Sequence, residues 1–319
     1  MASLVTVLML IVFGSMMILK KAAATSALGD ECQEKCGDIS IPQPFGIAQG
    51  CYRPGFRLRC NNNTGETPRL FLDGDGASSV EVIGISVSPP QVFIQNNLLA
   101  SMNTSTDFSS ISWRALENTP YTFFTGGDAA AVDTHFVASG CDASAYLVDI
   151  NRTIWNSSVI ASCSTICESK NYATSFINLY YFECNDTFCC VVSIPAGLKS
   201  YEIRLMRSNQ TRTWEKTTSW AFVGDLYQHF PSINVPKSVS AALTWTIDDQ
   251  QTCEAARKKT NSYACGPNTQ CIDHDDKEGY NCQCIEGYQG NPYDKPHGCQ
   301  GSISYNRTSK INLINFIDV

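Results

Sequence analysis

Six side chains carry the chemistry most readily read from this sequence: Tyr52, Arg53, Phe56, Arg57, Arg59 and Arg69. Planar guanidinium forks hold carboxylates through paired hydrogen bonds, and aromatic faces beside them accept the flat side of a sugar ring. Together they suit a ligand that is a sugar carrying carboxylates. Catalysis has no comparable signature. The four histidines, His135, His229, His274 and His297, are scattered, and neither His-Glu-x-x-His nor Gly-x-Ser-x-Gly occurs. Two distant carboxylates could still converge as a glycosidase pair. No motif marks such a pair, so the reading is a non-enzymatic binding protein with no cofactor and no metal.

The candidate residues must be positioned by the stretch Cys32 to Cys60. Four cysteines, three prolines and four glycines fall within its 29 residues, which excludes one regular helix and predicts turns and short extended pieces tied by disulfides. A competing assignment puts Phe45 and Phe56 in the core and the arginines on a solvated strand edge. Phe45, between prolines and glycine, is read as core, whereas Tyr52 and the arginines are the better ligand candidates. Size matters too. An exposed Arg–carboxylate pair contributes about 0.2–1 kcal/mol, so four give about 1–4, while millimolar to micromolar affinity needs roughly 4–8 kcal/mol. Stacking on Tyr52 or Phe56, or repeated sites along a polymer, must supply the rest.

The run Cys36-Gly-x-Ile-x-Ile-Pro-x-Pro-Phe-Gly-Ile, closed by Gly50-Cys51-Tyr-x-x-Pro-Gly-Phe-x-Leu-x-Cys60, resembles the galacturonan-binding module of plant wall-associated receptor kinases. The resemblance implies binding of pectin or oligogalacturonides at the plant cell wall. A second group, Cys141, Cys163, Cys167, Cys184, Cys189 and Cys190, is similar to the region that follows this module in the same family. Adjacent Cys189 and Cys190 point to opposite faces of an extended segment and so bridge to different partners. Connectivity of the ten cysteines before residue 200 stays open.

Cys253, Cys265, Cys271, Cys282, Cys284 and Cys299, with one residue between the fourth and fifth, look like an epidermal-growth-factor-type (EGF-like) module. That resemblance implies bridges Cys253–Cys271, Cys265–Cys282 and Cys284–Cys299. Calcium is not expected there, because Gln250-Gln251-Thr252 stand where acidic and amide ligands would precede the first cysteine. Asp73-Gly74-Asp75-Gly76 fails as a calcium loop at Ala77 and reads as a tight turn.

All sixteen cysteines lie after residue 31, and seven glycosylation sequons (Asn62, Asn103, Asn151, Asn156, Asn185, Asn209 and Asn306) accompany them. Both point to an oxidising, extracellular compartment, where Cys32-x-x-x-Cys36 and Cys163-x-x-x-Cys167 serve as disulfide halves rather than zinc ligands. The chain of 319 residues carries a net charge of −7. That is awkward for an anion-binding protein and gives no reason to expect nucleic acid. Locally the balance reverses, with four arginines against Glu66 alone between Cys51 and Arg69.

Leu4 to Leu19 is apolar and exits through small residues, as in a signal peptide over 1–27. The rival is an uncleaved anchor, since about 17 residues approach spanning length; Lys20-Lys21 just past the run would favour a cytoplasmic remainder, which the cysteines and sequons oppose. Between these ends the chain reads as mainly β. Val80–Ser88, Val132–Val137, Tyr146–Ile150, Ile177–Phe182, Tyr201–Arg207 and Trp220–Val223 are strand candidates, Pro89-Pro90 is a break, and no stretch from Asn61 to Pro236 shows a sustained helical period with caps. The expected organisation is a galacturonan-binding module over 28–100, a β-rich cysteine-rich region over 101–236, a linker over 237–252, an EGF-like module over 253–299 and a tail over 300–319. The tail is too polar to span a bilayer, and no glycine-rich nucleotide loop, His-Arg-Asp or Asp-Phe-Gly occurs. The overall reading is a disulfide-rich, multi-module, secreted protein of the cell wall that binds pectin. The alternative is a partner or decoy for full-length wall receptors that touches pectin little.

Overall fold

Strand-forming character dominates because the apolar residues recur at every second position between turn-rich, cysteine-tied segments. The computed structural model describes residues 32–63, 65–74, 80–126, 133–150, 159–165, 189–207, 218–225, 235–274 and 278–301. Outside them lie segment 1–27, expected to be a signal peptide, the strand candidate Ile177–Phe182, Cys167, Cys184, five sequons (Asn151, Asn156, Asn185, Asn209 and Asn306) and the tail from 302. In chain order the strands are β1 (Lys35–Cys36), β2 (Ile39–Ser40), β3 (Leu58–Asn61), β4 (Arg69–Leu72), β5 (Glu81–Val87), β6 (Pro90–Asn96) and β7 (Leu99–Met102). They continue as β8 (Phe108–Trp113), β9 (Tyr121–Phe123), β10 (Thr134–Ser139), β11 (Ala143–Val148), β12 (Val159–Ser164), β13 (Cys189–Ser193), β14 (Tyr201–Arg207), β15 (Ser219–Asp225) and β16 (Val239–Trp245). The last four are β17 (Thr269–Asp273), β18 (Tyr280–Cys284), β19 (Tyr288–Gly290) and β20 (Cys299–Gly301).

Three antiparallel sheets build the body, in the orders β3-β4-β5-β6-β16-β9, β13-β10-β15-β7 and β12-β11-β14-β8. The two four-stranded sheets share one core: Phe136, Ala138, Ala221 and Val223 belong to the same buried cluster as Ala145, Leu147, Ile203 and Leu205. On the other face of β10 and β15, Val137, Trp220 and Phe222 pack with Val239 of β16. Those strands are therefore covered on both sides, as the unbroken burial of β15 shows. The disulfide Cys163–Cys190 joins β12 to β13, the edge strands of the two sheets. Cys36–Cys60 ties the β1–β2 hairpin to β3, and Cys32, Cys51, Cys141 and Cys189 are also disulfide-bonded.

One local expectation changes. The chain turns at Ser88-Pro89 and resumes at once as β6, with Pro90 at the first strand position, where a missing N–H is tolerated. A six-residue helix, Cys253–Lys258, opens the six-cysteine module that the sequence reading expects to be EGF-like, capped by Thr252, whose Oγ1 accepts from the Ala255 N–H at 3.2 Å. Bridges Cys253–Cys271, Cys265–Cys282 and Cys284–Cys299 fasten that module around the β17–β18 hairpin.

The expected linker over 237–252 is the largest correction. It contains β16, a buried strand between β6 and β9, one in from the edge of the six-stranded sheet. Immediately beyond, Ile247 and Tyr280 exchange backbone hydrogen bonds of 2.9 and 3.0 Å, and the Asn281 amide donates to the Trp245 carbonyl at 3.0 Å. A Cβ on Gly279 would stand 2.6 Å from the Ile247 carbonyl oxygen, so this approach needs glycine. From Glu34 onward the described residues form one compact unit. The EGF-like module is built into it.

Burial pushes the phenols of Tyr280 and Tyr293 up to about 12. Above the ordinary phenol value the unfolded chain loses these protons while the folded one keeps them, so stability falls as pH rises from about 10 to 12. In an alkaline titration, tyrosinate absorbance and loss of folded-state circular dichroism should rise together in that window. Ionisation of both tyrosines with the fold intact would contradict this.

Candidate functional site

The first three strands of the large sheet sort their side chains by period 2. Leu58, Leu70, Leu72 and Val82 point inward and are fully buried, while Arg59, Arg69, Phe71 and Glu81 take the opposite face. Register pairs Arg59 with Phe71, Phe71 with Glu81 and Asn61 with Arg69. The Arg59 and Arg69 guanidinium carbons lie 4.8 and 5.4 Å from the centre of the Phe71 ring. Next to this triplet, Arg57 stands 5.9 Å from the Tyr52 ring centre. Three arginines and two rings thus share one side of β3 and β4, at cation–π distances.

Arg69 and Arg57 already face carboxylates of the chain. Arg69 Nε donates to Glu81 Oε1 at 2.7 Å and its Nη2 pairs with the other carboxylate oxygen, a hydrogen-bonded contact that raises the Arg69 pKa further. Arg57 Nε lies 3.0 Å from Asp73 Oδ2. The arginine side chains of both pairs remain more than half exposed, at 51% and 57%. Exposed pairs of this kind contribute about 0–1 kcal/mol, so an incoming carboxylate can take either guanidinium at little net cost. A flexible carboxylate is exchanged for a ligand's, and the ring faces decide whether the exchange is favourable.

Two candidates do not belong to this face. Phe56, placed among the sugar-stacking residues, is 1% exposed and packs edge-on against Phe45 at 5.3 Å and Trp245 at 5.2 Å. Gly55 and Arg57 flank it, but the period-2 turn into β3 aims its ring inward with Leu58. Arg53 points the other way, toward the EGF-like module. Its Nη2 reaches Asp249 Oδ2 at 2.8 Å and also the Ser262 carbonyl. It is a structural staple. Arg53→Ala should lower stability by about 1–2 kcal/mol, read as a fall in melting temperature, and leave binding at the β3–β4 face unchanged. An unaltered melting temperature would refute that role.

Phe71, Asp73 and Glu81 were missed by sequence reasoning. The alternation Arg69-Leu70-Phe71-Leu72 is a signal for the first; nothing local marks the acids as partners. Of the two described sequons, Asn62 lies just past β3 and Asn103 forms an exposed turn, its Oδ1 accepting from the Ser105 N–H at 2.9 Å and hydroxyl at 2.7 Å. His135 lies 3.6 Å from Asp133, His274 bonds Asn281, and His297 stands 3.1 Å from Asp294. Among the described residues no group of three or more metal-ligating side chains comes together, and no helix is long and apolar enough to cross a membrane.

Residues 32–96, which contain the whole β3–β4 face, match the family described as wall-associated receptor kinase galacturonan-binding. The chain resembles the ectodomain of wall-associated receptor kinases. It is 29% identical to wall-associated receptor kinase 5 of Arabidopsis thaliana over 287 residues, covering 85% of this chain and 34% of that protein. With wall-associated receptor kinase 1 of the same plant the identity is 28% over 304 residues, covering 91% and 37%. Wall-associated receptor kinase 2 gives 27% over 286 residues, covering 85% and 34%. The chain therefore spans about a third of the length of these wall-associated receptor kinases. No solved structure matches significantly.

Proposed function

We propose that this protein is a non-enzymatic, extracellular binder of galacturonan, the acidic polymer of pectin, at the plant cell wall. The proposed contact is the outward side of β3 and β4, with Arg57, Arg59 and Arg69 meeting carboxylates and Tyr52 and Phe71 meeting sugar faces. The observation that carries the reading is that the segment matching the galacturonan-binding family holds these three guanidinium groups and two rings together. The disulfides favour an oxidising compartment, in keeping with a cell-wall location.

Affinity follows from exchange and repetition. Each arginine that trades its own carboxylate for a ligand's gains little. Ring contacts, each worth about 0.5–1 kcal/mol at exposed sites, and multiple engagement along a polymer supply the remainder. Binding should accordingly be weak for short oligomers, stronger for long ones, and steeply weakened by salt.

Titration of the purified protein with oligogalacturonides at two ionic strengths tests this. Arg57→Ala and Arg59→Ala should each weaken binding about two- to fivefold, by roughly 0.4–1 kcal/mol, and flatten the salt dependence. Unchanged affinity in both variants removes the proposed face. Salt-insensitive capture of a receptor protein by a chain that ignores pectin would instead favour the partner reading.

A further inference from the structure

The two acids that face the arginines of the β3–β4 side are the more enclosed partners. The Glu81 and Asp73 side chains are 17% and 23% exposed, against 51% and 57% for Arg69 and Arg57. Register fixes where they stand. Glu81 lies opposite Phe71 on β5, and the Asp73 N–H donates to the Arg57 carbonyl at 3.1 Å, one step beyond the Leu58–Leu72 pair of the β3–β4 ladder. Neighbouring strands are about 4.8 Å apart, so both carboxylates sit beside the groups proposed to meet the ligand. The strands have other support, in their ladders and in Leu58, Leu70, Leu72 and Val82 on the buried side.

The contacts these acids make are those a uronate would make. Glu81 engages Arg69 at Nε and Nη2 with both carboxylate oxygens, the paired arrangement by which a guanidinium holds a carboxylate. Asp73 engages Arg57 at Nε. An arginine held this way is closed to a second carboxylate at the same nitrogens, and apparent affinity falls with the fraction of protein in which the arginine is open. When the exposed arginine turns to a ligand, the enclosed acid stays behind and its charge repels the newcomer.

We propose that Glu81 and Asp73 are internal competitors of this face, which set how many uronates a ligand must present before it is held. This rests on the galacturonan reading above. A single uronate displaces one acid for little gain and is not retained. A polyuronate stretch opens Arg57 and Arg69 together and adds the faces of Tyr52 and Phe71, so binding begins only above a minimum length.

The test titrates a length series of oligogalacturonides against the full chain, Glu81→Gln, Asp73→Asn, the double variant and Glu66→Gln. Glutamine and asparagine keep the shape and one acceptor oxygen while removing the charge. Each single variant should bind long oligomers about two- to fivefold more tightly and the double variant about tenfold more tightly, and the shortest oligomer retained by the double variant should be shorter. Glu66 acts on Arg69 only through its charge, so Glu66→Gln should change affinity by less than about twofold. Unchanged or weaker binding by the double variant, with the unaltered protein binding, overturns the competition and leaves the galacturonan reading standing. A gain in Glu66→Gln equal to that in Glu81→Gln also overturns it, because net charge alone would then suffice. If neither the unaltered protein nor the double variant binds any length, the galacturonan reading fails and takes the competition with it.

Discussion

Replacing Phe56 by alanine should cost about 3–5 kcal/mol of folding free energy, measurable as a shift of the denaturation midpoint at unchanged slope. Phe56 is fully buried, and its ring lies within 6.0 Å of Tyr121 and nearer still to Phe45 and Trp245. Trp245 in turn lies 5.0 Å from Tyr293 of the EGF-like module. Removing Phe56 opens a cavity where three parts of the chain meet, and cooperative unfolding of all three should follow at a lower denaturant concentration. The contrasting variant is Phe71→Ala. That ring is half-buried on the opposite side of the sheet, so the fold should survive while oligogalacturonide binding weakens. The reverse pattern, Phe56→Ala folding normally but failing to bind, would restore the stacking role expected from sequence.

The second large effect belongs to Cys163–Cys190. The double variant Cys163→Ala/Cys190→Ala should lose about 3–4 kcal/mol, because the bridge closes a loop of 27 residues and restrains the unfolded chain. Its position makes the loss regional. Among the described residues β12 and β13 are edge strands of different sheets, each hydrogen-bonded to one neighbouring strand. Without the bridge, amide exchange should accelerate in both strands, while β3 to β6 keep their protection. Uniform acceleration across the molecule would show instead that the bridge supports global stability alone.

Legibility in the sequence followed burial pattern. Tyr201–Arg207 alternates cleanly because one face of β14 meets the core and the other meets solvent, so its limits were readable to the residue. β16 was read as linker because Val239-Ser-Ala-Ala-Leu-Thr-Trp245 is covered on both faces and loses the alternation that marks a half-buried strand. The arginine stretch was legible in composition, not in partnership. Arg69 finds Glu81 twelve positions on and Arg53 finds Asp249 across 196 positions, pairings that register and tertiary closure determine. Phe56 shows the same limit, since a ring between Gly55 and Arg57 carries no local mark of which way it faces.

The strand that replaces the expected linker has a mechanical consequence. β16 is clamped between β6 and β9, and the chain leaving it is hydrogen-bonded to Tyr280 within a few residues. If the proposed polymer pulls on Arg57 or Arg59, the described connection from β16 to Tyr280 offers hydrogen-bonded backbone where a linker was expected. The load would then pass through the hydrogen bonds of the large sheet into the segment that pairs with Tyr280.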